Sequence, residues 1–70
     1  MFELRVRELR KAKGLTQGEL AEIVGIKARQ FRNLEAGTSY PSYLTLIALA
    51  DYFDVSIDYL VGRSDVAERR

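Results

Sequence analysis

Residues 16–37 read TQGELAEIVGIKARQFRNLEAG, and this stretch decides the fold. Thr16 followed three residues later by Glu19 has the form of a capping box, in which two side chains satisfy free amides at the start of a helix. Gly25 supplies the backbone freedom for a sharp turn between this helix and the next. The pattern predicts two short helices within residues 17–36, separated at Gly25.

The apolar residues of this stretch stand where two helices would pack against each other. Ala21 lies four residues before Gly25, where a small side chain allows the helices to approach closely. Phe31 and Leu34 are predicted to point inward from the second helix, which leaves its opposite side facing solvent. This is the arrangement of a helix-turn-helix, whose second helix enters the DNA major groove. The other predicted inward residues are Leu20, Ile23, Val24 and Ile26.

One further helix is predicted before this stretch and two are predicted after it. They run over about residues 3–13, 43–53 and 57–61, with Ser42 and Ser56 as N-caps of the last two. No run of alternating apolar and polar residues predicts a strand. The predicted fold class is therefore all-α, a compact five-helix bundle. Its remaining core-facing positions are Phe2, Val6, Leu9 and Ala12 in the first helix, and Leu44, Ile47, Ala48, Asp51 and Tyr52 in the fourth, with Leu46, Leu49 and Ala50 widening that face.

Charge and residue types limit the functions open to the chain. It has 70 residues, a net charge of +1, and neither Cys nor His. Residues 1–35 hold eight Lys or Arg against five Glu, a balance of +3, whereas residues 36–62 hold three Asp and no Lys or Arg, a balance of −3. This asymmetry indicates a face for a polyanion, with an ordinary mixed surface as the alternative. Because neither His nor Cys is present as a base, nucleophile or transition-metal ligand, and no activated serine is evident, we expect no enzyme activity, cofactor or metal.

The sequence also bears on location and domain organisation. It contains neither the apolar stretch of a signal peptide nor that of a transmembrane helix. The absence of Cys fits a reducing compartment, so we expect a soluble cytoplasmic protein with no membrane contact. One domain is predicted over residues 1–62, and residues 63–70 are predicted to form a polar, flexible tail.

Eight segments stand in order without a large gap: LR at 9–10, GLTQ at 14–17, ELA at 19–21, GI at 25–26, LEAG at 34–37, PS at 41–42, LIALA at 46–50 and VSIDYL at 55–60. Together they resemble the Cro/repressor type of helix-turn-helix protein, the XRE family. The resemblance implies a lambda-repressor-like fold and sequence-specific binding to double-stranded DNA by a transcriptional repressor. It also implies a bacterial or phage-encoded protein that works at the nucleoid.

The resemblance implies that residues 27–35 form the recognition helix. Arg matches guanine with two hydrogen bonds and Asn matches adenine, so Arg29 and Asn33 are the predicted base readers. The other two cations of this segment either read bases or bind phosphates. Ala28 offers only a methyl group to a thymine, or makes no contact. The predicted base-reading set is Lys27, Ala28, Arg29, Arg32 and Asn33.

Phosphate contacts are predicted on both sides of this helix. The resemblance implies one at Gln17, where helix N-terminal amides also converge. Gly18 either lets the backbone approach a phosphate or has no role. After the recognition helix, Tyr40 and Tyr43 either contact phosphate or pack against the bundle. The predicted phosphate set is Thr16, Gln17, Ser39, Tyr40 and Ser42.

The family resemblance suggests a structural ion pair between Arg10 and Glu35, linking the first helix to the end of the third. Geometry predicts a homodimer on a palindromic operator, because one recognition helix reads too few base pairs for useful specificity. The half-sites are then about 34 Å apart, or a multiple of that. No small-molecule ligand is predicted. The predicted dimer interface is Tyr52, Phe53, Ile57, Tyr59 and Leu60.

The rival function is an antitoxin-like or adaptor module that has the same fold and binds DNA weakly or not at all. The small net charge favours this alternative. The cations of the third helix favour DNA. Binding to a duplex that weakens steeply with salt distinguishes the two, because DNA binding releases counterions.

Overall fold

Five α-helices follow one another in the computed structural model, which describes residues 4–63 and 67–68. No strand occurs in these residues. The all-α, five-helix prediction is therefore confirmed. The helices are α1 (Val6–Ala12), α2 (Gln17–Val24), α3 (Ala28–Ala36), α4 (Tyr43–Phe53) and α5 (Ile57–Leu60).

Local capping explains where α2, α4 and α5 begin. Thr16 Oγ1 accepts a hydrogen bond of 3.1 Å from the Glu19 amide, and the Thr16 amide donates one of 2.8 Å to Glu19 Oε1. Ser42 and Ser56 accept from amides three residues on, at 3.2 and 3.0 Å. Gly25 ends α2 in the left-handed conformation with φ of 81°. These contacts satisfy amides that a helix start leaves without partners, and they confirm the predicted starts of the three helices.

Helix α1 is shorter than predicted. It begins at Val6, and its N-cap residue Arg5 makes no side-chain capping bond. The Arg5 amide instead donates a 2.9 Å hydrogen bond to the Leu60 carbonyl, which fixes the entry of the chain against α5. The predicted core position Ala12 is exposed. Phe2 and Glu3, which the sequence also placed in this helix, lie outside the described residues.

The core forms where all five helices meet. Its fully buried side chains come one from each helix, and Ala21, Leu34, Ala50 and Val55 extend it. Helix α3 packs mainly on α2, and α4 contacts both α2 and α5. The pair α2–α3 is thus held from behind by the rest of the bundle. The fully buried side chains are Val6, Leu20, Phe31, Leu49 and Leu60.

Besides Ala12, three predicted core positions are wrong. Ile23 is 47% exposed, because α2 buries Leu20, Ala21 and Val24 and residue 23 lies beyond the edge of that stripe. Leu44 is 76% exposed, and Asp51 is also exposed. The buried residues of α4 are the predicted Leu49 and Ala50, together with Thr45, which was not predicted.

Ala67, in the segment predicted to be a flexible tail, is held against the bundle. The Ala67 carbonyl accepts a 2.9 Å hydrogen bond from the Ser56 amide, and Ala67 packs against the core. Residues 64–66 and 69–70 lie outside the described part of the chain. Helix α5 ends at Leu60 rather than Val61, which is its C-cap. Among the described helices, none is long and apolar enough to span a membrane.

Candidate nucleic-acid interface

Helix α3 presents one side to the core and the other to solvent. Phe31 is 0% exposed and Leu34 is 4% exposed, and they anchor the helix on α2. Residues 28, 29, 32 and 33 share the opposite side, because 32 and 33 lie about one turn after 28 and 29. Lys27, which precedes the helix, is exposed as well. The structure thus leaves exposed all five predicted base-reading residues: Lys27, Ala28, Arg29, Arg32 and Asn33.

The start of α3 carries a residue that the sequence analysis missed. Gln30 is exposed, and its Oε1 accepts a 3.1 Å hydrogen bond from the Lys27 amide. The Lys27 side chain carries no hydrogen-bond acceptor, so it cannot accept a bond from the Gln30 amide in return. The start of α3 therefore has one of the two hydrogen bonds of a capping box. Gln30 also lines a groove of about 340 Å³ together with Asn33, Ser39 and Tyr40. The glutamine three residues after the N-cap position was the signal that pointed to it.

Glu35 holds three elements together at the end of α3. Arg10 of α1 donates from Nε to Glu35 Oε2 at 2.7 Å and from Nη2 to Oε1 at 3.2 Å. The Glu35 side chain is 0% exposed and that of Arg10 is 11% exposed. Arg10 also donates from Nη1 to the Leu15 carbonyl at 2.8 Å, which ties down the turn before α2. This is the ion pair that the sequence analysis expected between the first and third helices.

Gln17, the first residue of α2, is bonded to the same carboxylate. Its Nε2 donates to Glu35 Oε1 at 2.9 Å. A carboxamide nitrogen carries two hydrogens, so this bond orients the side chain and leaves one hydrogen for another acceptor. The Thr16 hydroxyl accepts from the Glu19 amide, and its own hydrogen is directed toward the Glu19 carboxylate. Gln17 therefore retains a donor, whereas Thr16 offers its hydrogen to a phosphate only by turning away from Glu19.

Arg7 joins this network and was not among the predicted site residues. Its Nε lies 3.6 Å from Glu35 Oε1, and its side chain is 55% exposed. The sequence signal was its position three residues before Arg10, on the same side of α1. It brings a second positive charge to a single carboxylate.

The neighbours of Glu35 decide its protonation. Burial raises the pKa of the Glu35 carboxyl. Hydrogen bonds from Arg10 and Gln17, and the charges of the two arginines, lower it by more, so that the pKa lies below its usual value. The carboxylate is therefore charged at neutral pH and serves as the common acceptor of the network.

The loop between α3 and α4 differs in part from the prediction. Tyr40 and Tyr43 are 76% and 72% exposed, so they do not pack against the bundle. Ser42 Oγ donates to Thr45 Oγ1 at 3.0 Å, which uses the one hydrogen that its hydroxyl has to offer a phosphate. Ser42 therefore caps α4, and its predicted phosphate contact requires the exposed hydroxyl to turn away from Thr45. Ser39 is half-buried and lines the groove beside α3.

The predicted dimer interface is also only partly available. Leu60 is fully buried in the core of its own chain, so it cannot contact a second copy, and that prediction is wrong. Two aromatic rings of the predicted set are covered from one side within the chain. Lys13 Nζ lies 5.3 Å from the Tyr52 ring centre, and the Arg5 guanidinium lies 4.4 Å from that of Tyr59. Ile57 remains 37% exposed.

Two helices joined at a left-handed glycine, with the second carrying cations outward, define the helix-turn-helix class. The chain belongs to this family: the family model described as Helix-turn-helix matches residues 6–60. This confirms the resemblance drawn from the sequence.

Named relatives agree with this assignment. The chain is 42% identical over 65 residues to the uncharacterized HTH-type transcriptional regulator YobD of Bacillus subtilis, covering 93% of this chain and 58% of the relative. It is 36% identical over 59 residues to the cryptic phage CTXphi transcriptional repressor RstR of Vibrio cholerae, covering 84% and 53%. The chain thus spans just over half the length of these curated relatives.

Solved structures show the same fold. The P22 c2 repressor, crystallised with synthetic operator 9T in the presence of Tl⁺, matches with a TM-score of 0.79 at 28% identity, over 86% of this chain and 91% of that one. A transcriptional regulator from Listeria innocua matches with a TM-score of 0.78 at 36% identity, over 83% and 54%. The predicted lambda-repressor-like architecture is confirmed.

Proposed function

We propose that this chain binds double-stranded DNA in a sequence-specific manner and acts as a transcriptional repressor, with α3 in the major groove. The observation that carries this proposal is the exposed side of α3, which offers two arginines and an asparagine while its other side is anchored in the core. The regulators among its relatives and the operator-bound P22 repressor support it. No catalytic step is part of the function, and its place is the bacterial cytoplasm, at the nucleoid.

In this arrangement different residues of α3 contact different bases. Arg29 pairs with the O6 and N7 atoms of a guanine, and Asn33 pairs with an adenine. Lys27 and Arg32 flank them and contact bases or phosphates. Ala28 offers its methyl group to that of a thymine. Contacts with base edges discriminate between bases, whereas phosphate contacts only position the protein.

Phosphate contacts on either side of α3 hold the helix in the groove. Before it, Gln17 donates its remaining amide hydrogen, and Thr16 donates its hydroxyl. After it, Ser39 and the exposed phenol of Tyr40 donate from the rim of the groove that they line with Asn33. The Glu35 network keeps the first of these groups in place relative to α3.

A homodimer on a palindromic operator completes the proposal. A single α3 spans only a few base pairs, and two copies related by a two-fold axis place two such helices about 34 Å apart. The contact between copies involves the exposed Ile57 and the half-buried Tyr52, Phe53 and Tyr59.

The proposal is tested by selecting bound sites from random duplexes and then titrating binding with salt. We expect an enriched palindromic site, bound more tightly than a shuffled duplex of the same composition. The logarithm of the affinity should fall linearly with that of the salt concentration, by about 0.9 per phosphate neutralised. No enrichment, with no binding even at low salt, would instead favour the adaptor function.

A further inference from the structure

The exposed side of α3 does not end with the predicted base readers. Glu35 follows Ala28 by seven residues and Arg32 by three, so its side chain leaves α3 on nearly the same side as theirs. Its carboxylate gathers Gln17 from α2 and two arginines from α1. The positive groups of α1 thereby reach the end of the proposed DNA-binding surface.

The two arginines are not equivalent. Arg10 is almost fully buried and makes two short hydrogen bonds to Glu35, so its charge is matched by that of the carboxylate. Arg7 makes longer contacts, 3.6 Å from Nε to Glu35 Oε1 and 3.5 Å from Nη2 to the Glu35 carbonyl. The charge of one carboxylate balances that of one arginine, so the network keeps a net positive charge. This charge resides on Arg7, the more exposed of the two arginines.

Arg7 also lies beside the proposed phosphate site at Gln17. Gln17 Nε2 and Arg7 Nε both approach the same oxygen, Glu35 Oε1, at 2.9 and 3.6 Å. The two nitrogens are therefore close enough to serve one phosphate group, or two neighbouring groups of one strand. A guanidinium has five N–H donors, and the contacts with Glu35 use at most two of them.

We propose that Arg7 is a DNA phosphate contact adjoining that of Gln17, and that Glu35 is the positioning residue that sets the two donors side by side. This inference rests on the proposed DNA binding. Arg7 supplies charge and hydrogen bonds to the backbone of the DNA, and it reads no base. It therefore strengthens binding to every duplex to the same degree.

The test compares Arg7→Gln with Lys13→Gln, which also removes one positive charge, at the C-cap of α1, where Lys13 faces Tyr52. Affinity for the selected site and for a shuffled duplex is measured over a range of salt concentrations, with the Tm of each variant. We expect Arg7→Gln to weaken binding to both duplexes by the same factor, roughly tenfold at 0.1 M salt, and to reduce the salt slope by about one. Lys13→Gln and Arg7→Lys should keep the wild-type slope.

A salt slope of Arg7→Gln equal to that of Lys13→Gln would overturn the inference, even if the Tm fell, because a purely structural arginine changes stability and not counterion release. Unequal weakening on the two duplexes would also overturn it, since it would make Arg7 a base reader. Failure of the proposed function is a different result: the wild-type protein would then show no salt-dependent binding to begin with.

Discussion

Glu35 joins the scaffold to the proposed interface in a single side chain. It accepts hydrogen bonds from Arg10 and Gln17, so the residue that ties α1 to α3 also orients the start of α2. Removing one partner of a buried ion pair costs far more than the pair contributes as a whole, because the remaining charge stays buried without compensation. Loss of Glu35 is therefore expected to affect folding and DNA affinity together.

The pH dependence of stability follows from Glu35. Its pKa is lowered in the folded protein, so its contribution to stability is complete above the unfolded value of about 4.3 and is lost as the pH falls through the lower folded value. We expect the free energy of unfolding to fall as the pH is lowered below about 4.3. Urea denaturation at a series of pH values measures this.

The matched control for that experiment is Glu19→Gln. The pKa of Glu19 is also lowered, by hydrogen bonds from the backbone and side chain of Thr16, but glutamine can retain the capping bond. Glu35→Gln should flatten the acid limb of the stability curve more than Glu19→Gln does. A wild-type curve that is level down to pH 3 would contradict the prediction.

Arg29 is the residue on which base discrimination is predicted to depend most. It is exposed on α3, so Arg29→Ala should leave the Tm unchanged. It should lower discrimination at one base pair of each half-site by about 1–3 kcal/mol. Binding to a panel of single-base operator variants measures this, with Lys13→Ala as a control that removes a cation from α1. Equal weakening on every duplex would make Arg29 a phosphate contact instead.

At the scale of the helices, the sequence predicts where each one begins better than which of its sides is buried. The caps at Thr16, Ser42 and Ser56 depend on residues within one turn, so spacing alone identifies them. Which apolar residue at the edge of a stripe becomes buried depends on what packs against it from elsewhere in the chain. For this reason Ile23 and Leu44 are exposed although both were predicted to face the core.

The proposed site shows the same division between local and distant causes. The exposure of α3 follows from the inward spacing of Phe31 and Leu34. The involvement of Arg7 was missed, because its only signal in the sequence was the spacing from Arg10, and its contact with Glu35 forms only when α1 packs near the end of α3. Likewise, Ser42 has a hydroxyl as expected, but only the structure shows that Thr45 already accepts its hydrogen.

Gly18 in α2 provides a test at this scale. A Cβ added there meets only Thr16 Oγ1, at 4.0 Å, and the backbone is helical. Gly18→Ala should therefore stabilise the fold by about 0.4–1 kcal/mol, since alanine has less conformational freedom to lose on folding. Thermal unfolding measures the change, and a fall in Tm would contradict the prediction. DNA affinity reports separately on whether a phosphate approaches this backbone.

Gly14→Ala is the control for that substitution. Gly14 also has open space around it, but its φ is +70°, which strains any residue with a Cβ. We expect this variant to lower the Tm. The pair of variants thus separates backbone conformation from crowding.

At the scale of the whole molecule, the proposed interface offers limited apolar surface to a second copy. Ile57 is 37% exposed, and the two tyrosines of the proposed interface are each covered by a cation on one side. We expect Ile57→Gln to weaken dimerisation by about tenfold or more, because a two-fold interface loses the side chain twice. Sedimentation equilibrium, free and on a duplex with two half-sites, measures this.

Ile23→Gln is the matched control, because Ile23 is a similarly exposed isoleucine on α2, outside the proposed interface. It should leave the dimerisation constant unchanged. Equal effects of the two substitutions, or a wild-type protein that stays monomeric on the two-site duplex, would count against this interface.

The hydrogen bond from the Arg5 amide to the Leu60 carbonyl joins the entry of the first helix to the end of the last. Helices as short as α1 and α5 are not stable in isolation, so each depends on its packing in the bundle. We expect fraying of α5 to loosen α1, which carries the two arginines that meet Glu35. The proposed phosphate contacts should then weaken before the core unfolds.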